Sequence, residues 1–332
     1  MKRSTRNKLL AIAAFIAIGG SVKAQQDAQF SQYMFNGIYI NPGYAGYKEQ
    51  WNINAFYRNQ WVNFPGAPKT MSLSVDGTVN NNRVGLGLQI VSDKLGAQSN
   101  TSVYGNYAYR IPLGASEYEG KTLAIGIGVG ALQSRLDINQ LDPQQQGDPA
   151  ILAASGNKLI PDAKFGVFYN SNSFYVGASA TNLISNFWKK KDDINGVFVI
   201  PKLHWYLTAG ALVPISDEVS WKPSILMKDD LAGPTSFDAN SMFLLGKLFW
   251  IGASYRTAIP SFYSKPAVAN NYQKSADLVG LLEVMVNDKL RIGYAYDYSL
   301  NATTTQGYST HEMSISYFFV NKQSGMLSPR YF

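Results

Sequence analysis

The chain has 332 residues, 46% hydrophobic and only 15% charged, with no cysteine and a formal charge of +7. The lack of cysteine removes any disulfide framework, thiolate metal site or lipidation site. Five basic residues, Lys2, Arg3, Arg6, Lys8 and Lys23, fall in the first 24 positions and leave only +2 of the +7 beyond them, which argues against a nucleic-acid partner.

The N-terminal basic cluster precedes an apolar run from Leu9 to Ile18 and small residues ending in "VKA", so residues 1–24 are expected to be a secretory signal peptide. The apolar run is well short of the roughly 20 residues that cross a bilayer as a helix. No later run is longer, which excludes helical membrane spans.

Residues 25–50 are expected to form a separate N-terminal segment. Its core, "FSQYMFNGIYINPGYAG" from Phe30 to Gly46, is too aromatic for a solvated leader. Phe30, Tyr33, Met34 and Ile38 recur at i, i+3, i+4 and i+8, which predicts a short helix, and Asn41, Pro42 and Gly43 then punctuate the chain. A helix this short is marginal alone and needs a surface to pack on. Two placements are open: inside the lumen of the barrel inferred below, or free in the periplasm as a docking segment.

From Trp51 onward the period changes to two. Met71, Leu73 and Val75 alternate with Thr70, Ser72 and Ser74; Leu290, Ile292, Tyr294, Tyr296 and Tyr298 alternate with Arg291, Gly293, Ala295 and Asp297. The same alternation occurs near 51–62, 69–79, 83–92, 100–112, 121–133, 162–170, 173–182, 202–214, 219–228, 236–247, 249–257, 275–286, 289–300 and 309–320. Most of these segments have about ten residues, the length of a tilted membrane strand.

Alternation alone also fits a soluble sandwich, and three features decide against it. The apolar face carries Trp51, Trp61, Tyr107, Tyr169, Trp205, Trp221 and Tyr317 near strand ends, as interfacial girdles do. The opposite face holds Arg58, Arg110, Lys164, Lys222, Lys228, Arg256 and Arg291 with Asp76, Asp238, Asp277, Glu283, Asp297 and Glu312. A soluble core would not tolerate so many charges, whereas a barrel lumen does, and the near balance of signs predicts internal pairing. Short connections at 80–82, 170–172, 216–218, around Lys247 and at 287–288 also alternate with longer ones at 134–161, 183–201, 229–235, 258–274 and 301–308. The expected fold is therefore an all-β transmembrane antiparallel barrel of about 14 strands over 51–321, with a short N-terminal periplasmic or lumenal segment and a periplasmic tail at 322–332.

Candidate chemistry is sparse. His204 faces the lumen by parity and His311 the lipid side, about a hundred residues apart, so a histidine-based metal site is not expected. His311 with Ser309 or Ser314 is the one pair suited to a lipid-face hydrolase, and the plainer reading is an interfacial histidine near a strand end. "GIGVG" (126–130) lies mid-strand with no helix after it, which defeats a dinucleotide reading. Its inward glycines, with Gly85 and Gly87, instead leave room for the aromatic rings of the N-terminal segment. Trp188, Lys189, Lys190 and Lys191 sit in a long loop, as a solvated tip or a contact for lipopolysaccharide phosphates.

"FSQYMFNGIYINPGYAG", "YRNQW" (57–61), "GAPKTMSLSVDG" (66–77) and the terminal "SPRYF" (328–332) resemble the PorP/SprF family of outer-membrane proteins. The likeness is strongest over 26–90 and extends along the chain in layout. It implies a non-enzymatic, cofactor-free component of the Bacteroidota type IX secretion system. The implied partners are large secreted adhesins of gliding motility that carry a type IX targeting domain, other secretion components, and outer-membrane lipid and lipopolysaccharide. Some members look like core secretion components and others serve one adhesin. A porin-like solute channel is the alternative. Candidate partner-binding residues are Phe30, Tyr33, Met34, Phe35, Ile38, Arg58, Trp61, Trp188, Lys189, Lys190 and Lys191.

Overall fold

The computed structural model describes residues 29–114, 120–140, 156–187, 201–231, 234–259, 276–300 and 309–319. Residues 1–24 and 322–332, Trp188 to Lys191 and most of the long connections lie outside them. The described strands are β1 (Asn52–Asn59), β2 (Lys69–Val79), β3 (Val84–Leu95), β4 (Gln98–Pro112), β5 (Thr122–Leu136), β6 (Gly156–Asn170) and β7 (Phe174–Thr181). They continue with β8 (His204–Ala211, extended beyond Leu212 by Val213–Pro214), β9 (Val219–Asp229), β10 (Thr235–Leu245), β11 (Phe249–Ile259), β12 (Ala276–Met285), β13 (Leu290–Ser299) and β14 (Ser309–Phe318).

Each strand pairs antiparallel with its neighbours in sequence. β1 and β14 close the ring in unbroken register from Asn52↔Phe318 to Asn59↔His311. The result is a closed barrel of 14 strands, which leaves no sheet edge for another chain to extend. Apolar side chains such as Leu73, Ile127, Leu207 and Ile315 point outward and are exposed, while Asp76, Arg110, Glu283 and Glu312 point inward and are buried. That is the inverse of a soluble protein and matches a barrel with lipid outside.

Tight turns mark one end. At 80–82 three consecutive asparagines, Asn80, Asn81 and Asn82, hold φ of 52°, 51° and 61°. Asparagine tolerates this left-handed region because its short side chain bonds locally. The other end carries the longer connections, with one departure from the alternation expected. β3 and β4 continue to Leu95 and Gln98, so Gly96 (φ +56°) and Ala97 alone join them. The outward residues there are Ser92, Lys94, Ser99 and Thr101, so polarity no longer alternates although the backbone ladder persists.

Candidate functional site in the barrel lumen

Residues 29–50 lie against the inner wall. The expected helix is absent. In its place are three single 3₁₀ turns, Tyr33–Phe35, Gly37–Tyr39 and Pro42–Tyr44, and the last is capped by Asn41, whose Oδ1 accepts from Gly43 N at 2.8 Å. The reason is burial on every side. Ser31, Gln32 and Asn36 are as buried as Phe30, Tyr33, Met34, Phe35 and Ile38, so the segment has no polar face for a helical period to display.

Its backbone is bonded to itself within the turns, as from Asn36 N to Tyr33 O and from Tyr44 N to Asn41 O, and to the wall elsewhere. Glu312 accepts Ser31 N at 2.7 Å through Oε2 and Gln32 N at 2.9 Å through Oε1. Ser179 Oγ donates to Ile40 O at 2.7 Å, and Asp76 Oδ2 accepts Gly46 N at 3.0 Å. Lys48 Nζ reaches back to Phe35 O at 2.9 Å, while Arg110 donates to Gly46 O and, at 2.8 Å, to Glu49 Oε1. Asn41 Nδ2 bridges two wall carbonyls, Val167 O at 3.0 Å and Ala178 O at 3.3 Å. These bonds give much of the buried backbone of an irregular segment its partners without a helix.

The strongest cluster surrounds Ser31. Arg58 bonds Asp297 Oδ2 at 2.6 Å, Glu312 Oε2 at 3.0 Å and Ser31 Oγ at 2.7 Å. Arg256 bonds Asp238 Oδ1 at 3.0 Å and lies 3.5 Å from Asp297 Oδ2. Ser31 Oγ also donates to Asp297 at 2.8 Å. Three carboxylates thus face two guanidiniums, and the Ser31 and Gln32 amides supply the donors that Glu312 would otherwise lack. Buried charges persist only when paired and bonded in this way.

Apolar packing completes the seat. Phe30 meets Tyr39 edge to face at 4.6 Å, Phe35 lies 6.3 Å from Trp250, and Tyr44 and Tyr47 both cross Phe168 at 5.4 and 5.3 Å. Lys222 sits over the Phe35 ring at 5.3 Å. A cavity of about 20 Å³ remains between Tyr33, Tyr44, Phe168 and Tyr175, space for about one water. Burial pulls the Lys48 ammonium down to about 8, with Asp76 opposing, and pushes the Tyr33 and Tyr44 hydroxyls well up.

The inward glycines serve a closer contact than room for rings. A Cβ on Gly126 would collide with the backbone of Pro42 and Gly43, and one on Gly85 with the Ala45 carbonyl. Gly87 takes the Ile38 side chain, while Gly128 and Gly130 face wall residues instead. Sequence reading missed Asn41, Lys48, Gly166 and Gly293. A Cβ on Gly166 would strike Asn41 Oδ1 and one on Gly293 would strike Gln32 Oε1, so the signal available was simply glycine at inward strand positions.

The segment runs along the lumen. Ser31 is level with Arg58, one residue from the far end of β1, and Lys48 lies over the Phe318 ring at 4.9 Å, at the tight-turn end. Of the remaining candidates, Trp61 is exposed at the rim with the longer connections. His204 is buried, its Nδ1 2.8 Å from Lys202 O. His311 lies on the outer face, Nε2 3.1 Å from Ser309 Oγ and Nδ1 2.7 Å from the Tyr294 hydroxyl, with Tyr296 edge to face at 5.2 Å.

Among solved structures, the chain is similar to the CymD monoaromatic hydrocarbon channel at 12% identity and a TM-score of 0.50, covering 86% of this chain and 92% of that one. This likeness establishes the barrel fold alone. Omp33 of Acinetobacter baumannii (8% identity, TM-score 0.45, coverage 82% and 98%) and a Pseudomonas aeruginosa FadL homologue (9%, 0.44, 82% and 90%) are also similar. No curated protein matches the sequence. Residues 22–317 match the family described as type IX secretion system membrane protein PorP/SprF. That span takes in both the N-terminal segment and the barrel that holds it, and the chain belongs to the PorP/SprF family of type IX secretion system membrane proteins.

Proposed function

We propose that this outer-membrane barrel is a non-enzymatic component of type IX secretion that supports the export and surface anchoring of large adhesins. Family membership carries the reading. The lumen supports it over the solute-channel alternative: residues 29–50 pack against strands on all sides of the barrel, and Arg58, Arg256 and Arg291 are paired with carboxylates rather than arrayed along a path for one sign of ion. Residues 29–50 act as a plug, and the connections at 134–161, 183–201 and 258–274 are the contact surface for the exported partner, since binding residues concentrate on loops held by a rigid scaffold.

Deletion of the gene tests this. The expected result is loss of particular adhesins from the cell surface with impaired gliding, together with recovery of a large secreted protein when the intact complex is isolated from wild-type membranes. Normal display of every surface adhesin in the deletion strain would sink the proposal.

A further inference from the structure

On the outer face of the barrel, at the end with the longer connections, one row of side chains crosses five strands. The pairing sets Asn59 opposite Lys69, Lys69 opposite Lys94, Lys94 opposite Ser99, and Ser99 opposite Arg135. All share the outward parity of Tyr57, Met71, Ile90, Val103 and Val129, and Lys69, Lys94 and Arg135 are exposed. Like charges directly opposite on neighbouring strands are destabilising. No acidic side chain occupies an outward position within β1–β5, and the carboxylate of Asp137, just past β5, is bonded by Gln140 Nε2 at 2.7 Å. A pair such as Lys69 and Lys94 therefore gains from an external anion.

Beside the two lysines the surface is hollowed. Asn59, Trp61, Phe64, Lys69, Lys94 and Gln140 contribute to the lining of a concavity of about 530 Å³. The loop that shapes it is held under strain: Trp61 (φ 49°) and Asn63 (φ 75°) are left-handed, a conformation costly for a bulky residue. It is pinned to β14 by Trp61 N to Thr310 Oγ1 at 3.2 Å and Val62 N to Ser309 O at 2.8 Å. Trp61 and Phe64 stand edge to face at 6.4 Å, and both remain exposed.

The floor of this hollow decides its occupant. Directly below Lys69 the same face continues as Met71, Leu73 and Val75, the lipid-facing belt, so a molecule held by the lysines also lies along an apolar wall. We propose that the hollow binds the phosphorylated sugar headgroup of an outer-leaflet glycolipid. Lys69 and Lys94 take the phosphate, the Trp61 ring packs on the sugar face, Asn59 and Gln140 bond hydroxyls, and the acyl chains follow Met71 and Leu73 down the barrel. An acidic peptide would use the lysines but leave the belt without a role.

The probe is diphosphoryl lipid A added to the intact purified barrel in nanodiscs, with retention read by native mass spectrometry. The wild type should retain it in preference to dephosphorylated lipid A and to phosphatidylglycerol. Lys69→Gln with Lys94→Gln should weaken retention about tenfold, the combined loss expected for two charge contacts at a partly exposed site. Trp61→Ala should weaken it too, whereas Lys247→Gln at the opposite rim should not. These are surface changes, and an unaltered heat-dependent gel shift verifies that each variant is folded. Equal retention by the double variant, or equal retention of the dephosphorylated probe, would overturn the proposal; equal retention of phosphatidylglycerol would overturn the sugar assignment.

Discussion

Arg58 and Glu312 meet across the seam between the first and last strands, Nη1 to Oε2 at 3.0 Å, and the amide of Ser31 binds that same oxygen at 2.7 Å. Barrel closure and the seating of the N-terminal segment therefore share one carboxylate. Arg58→Ala would leave Asp297 and Glu312 buried with a single guanidinium nearby, at a cost of roughly 3–5 kcal/mol. Glu312→Gln removes the surplus negative charge and keeps an acceptor, so its effect should be much milder. The temperature at which the folded band shifts on a gel checks the order, and equal losses would contradict it.

Gly126→Val should dislodge the segment, because the new side chain would occupy the space of the Pro42 and Gly43 backbone. Gly280→Val is the control, since a Cβ there meets nothing within 4 Å. In this cysteine-free chain, Ile38→Cys with Gly87→Cys should form a disulfide on oxidation, whereas Phe35→Cys with Gly128→Cys should not, because Phe35 packs against Trp250. Adding Gly126→Val should abolish the first crosslink and raise conductance in planar bilayers. A crosslink that survives Gly126→Val would show that the contact is not needed.

Seating should also depend on alkaline pH. Burial pulls the Lys48 ammonium down to about 8 from the usual 10.5 of a solvated lysine, so between those values a released segment binds a proton that a seated one does not. Seating therefore strengthens as pH rises from 8 towards 10. Tyr33 and Tyr44 act oppositely, because their raised values let only the released segment ionise above 10. A spin label on Gln29→Cys should be least mobile near pH 10, and Lys48→Met should remove the rise while keeping the fall. Mobility that increases steadily from pH 8 would refute the sign.

His311→Ala should leave export and adhesin display unchanged. His311 bridges Ser309 and Tyr294 on the outer face, a contact worth about 1 kcal/mol at a half-exposed site. Loss of display or of a lipid-hydrolysing activity at unchanged protein level would show that the Ser309 and His311 pair does chemistry.

The strands were legible because lipid outside and charge inside impose opposite polarity on successive residues, as Met71 to Val75 show. Legibility failed where that contrast fades. Ser92 to Lys94 and Ser99 to Thr101 stand above the apolar belt, so their pairing leaves no trace in polarity although the ladder continues to Leu95 and Gln98. Within the lumen the difficulty differs. Phe30 and Ile38 have apolar neighbours, Ser31 and Gln32 have carboxylate and amide partners, and burial on every side erases the helical period. Which charges pair was likewise hidden, since Arg58 and Asp297 are brought together only by ring closure.

The seat of Ser31 has a consequence for how the molecule is made. The bond to Glu312 spans 281 positions in sequence, and the other groups around it, Arg58, Asp238, Arg256 and Asp297, come from β1, β10, β11 and β13. The part of the chain synthesised early thus waits for nearly the last strand before its partners exist, and contacts of such long separation form slowly. Until β14 has joined β1, the Ser31 end of the segment has no seat, although the Ile40 to Gly46 part already has its partners on β2, β4, β6 and β7. Occupation of the Ser31 seat is thereby a completion check on the barrel: a chain truncated before Glu312 would carry the segment but could not fix its first residues.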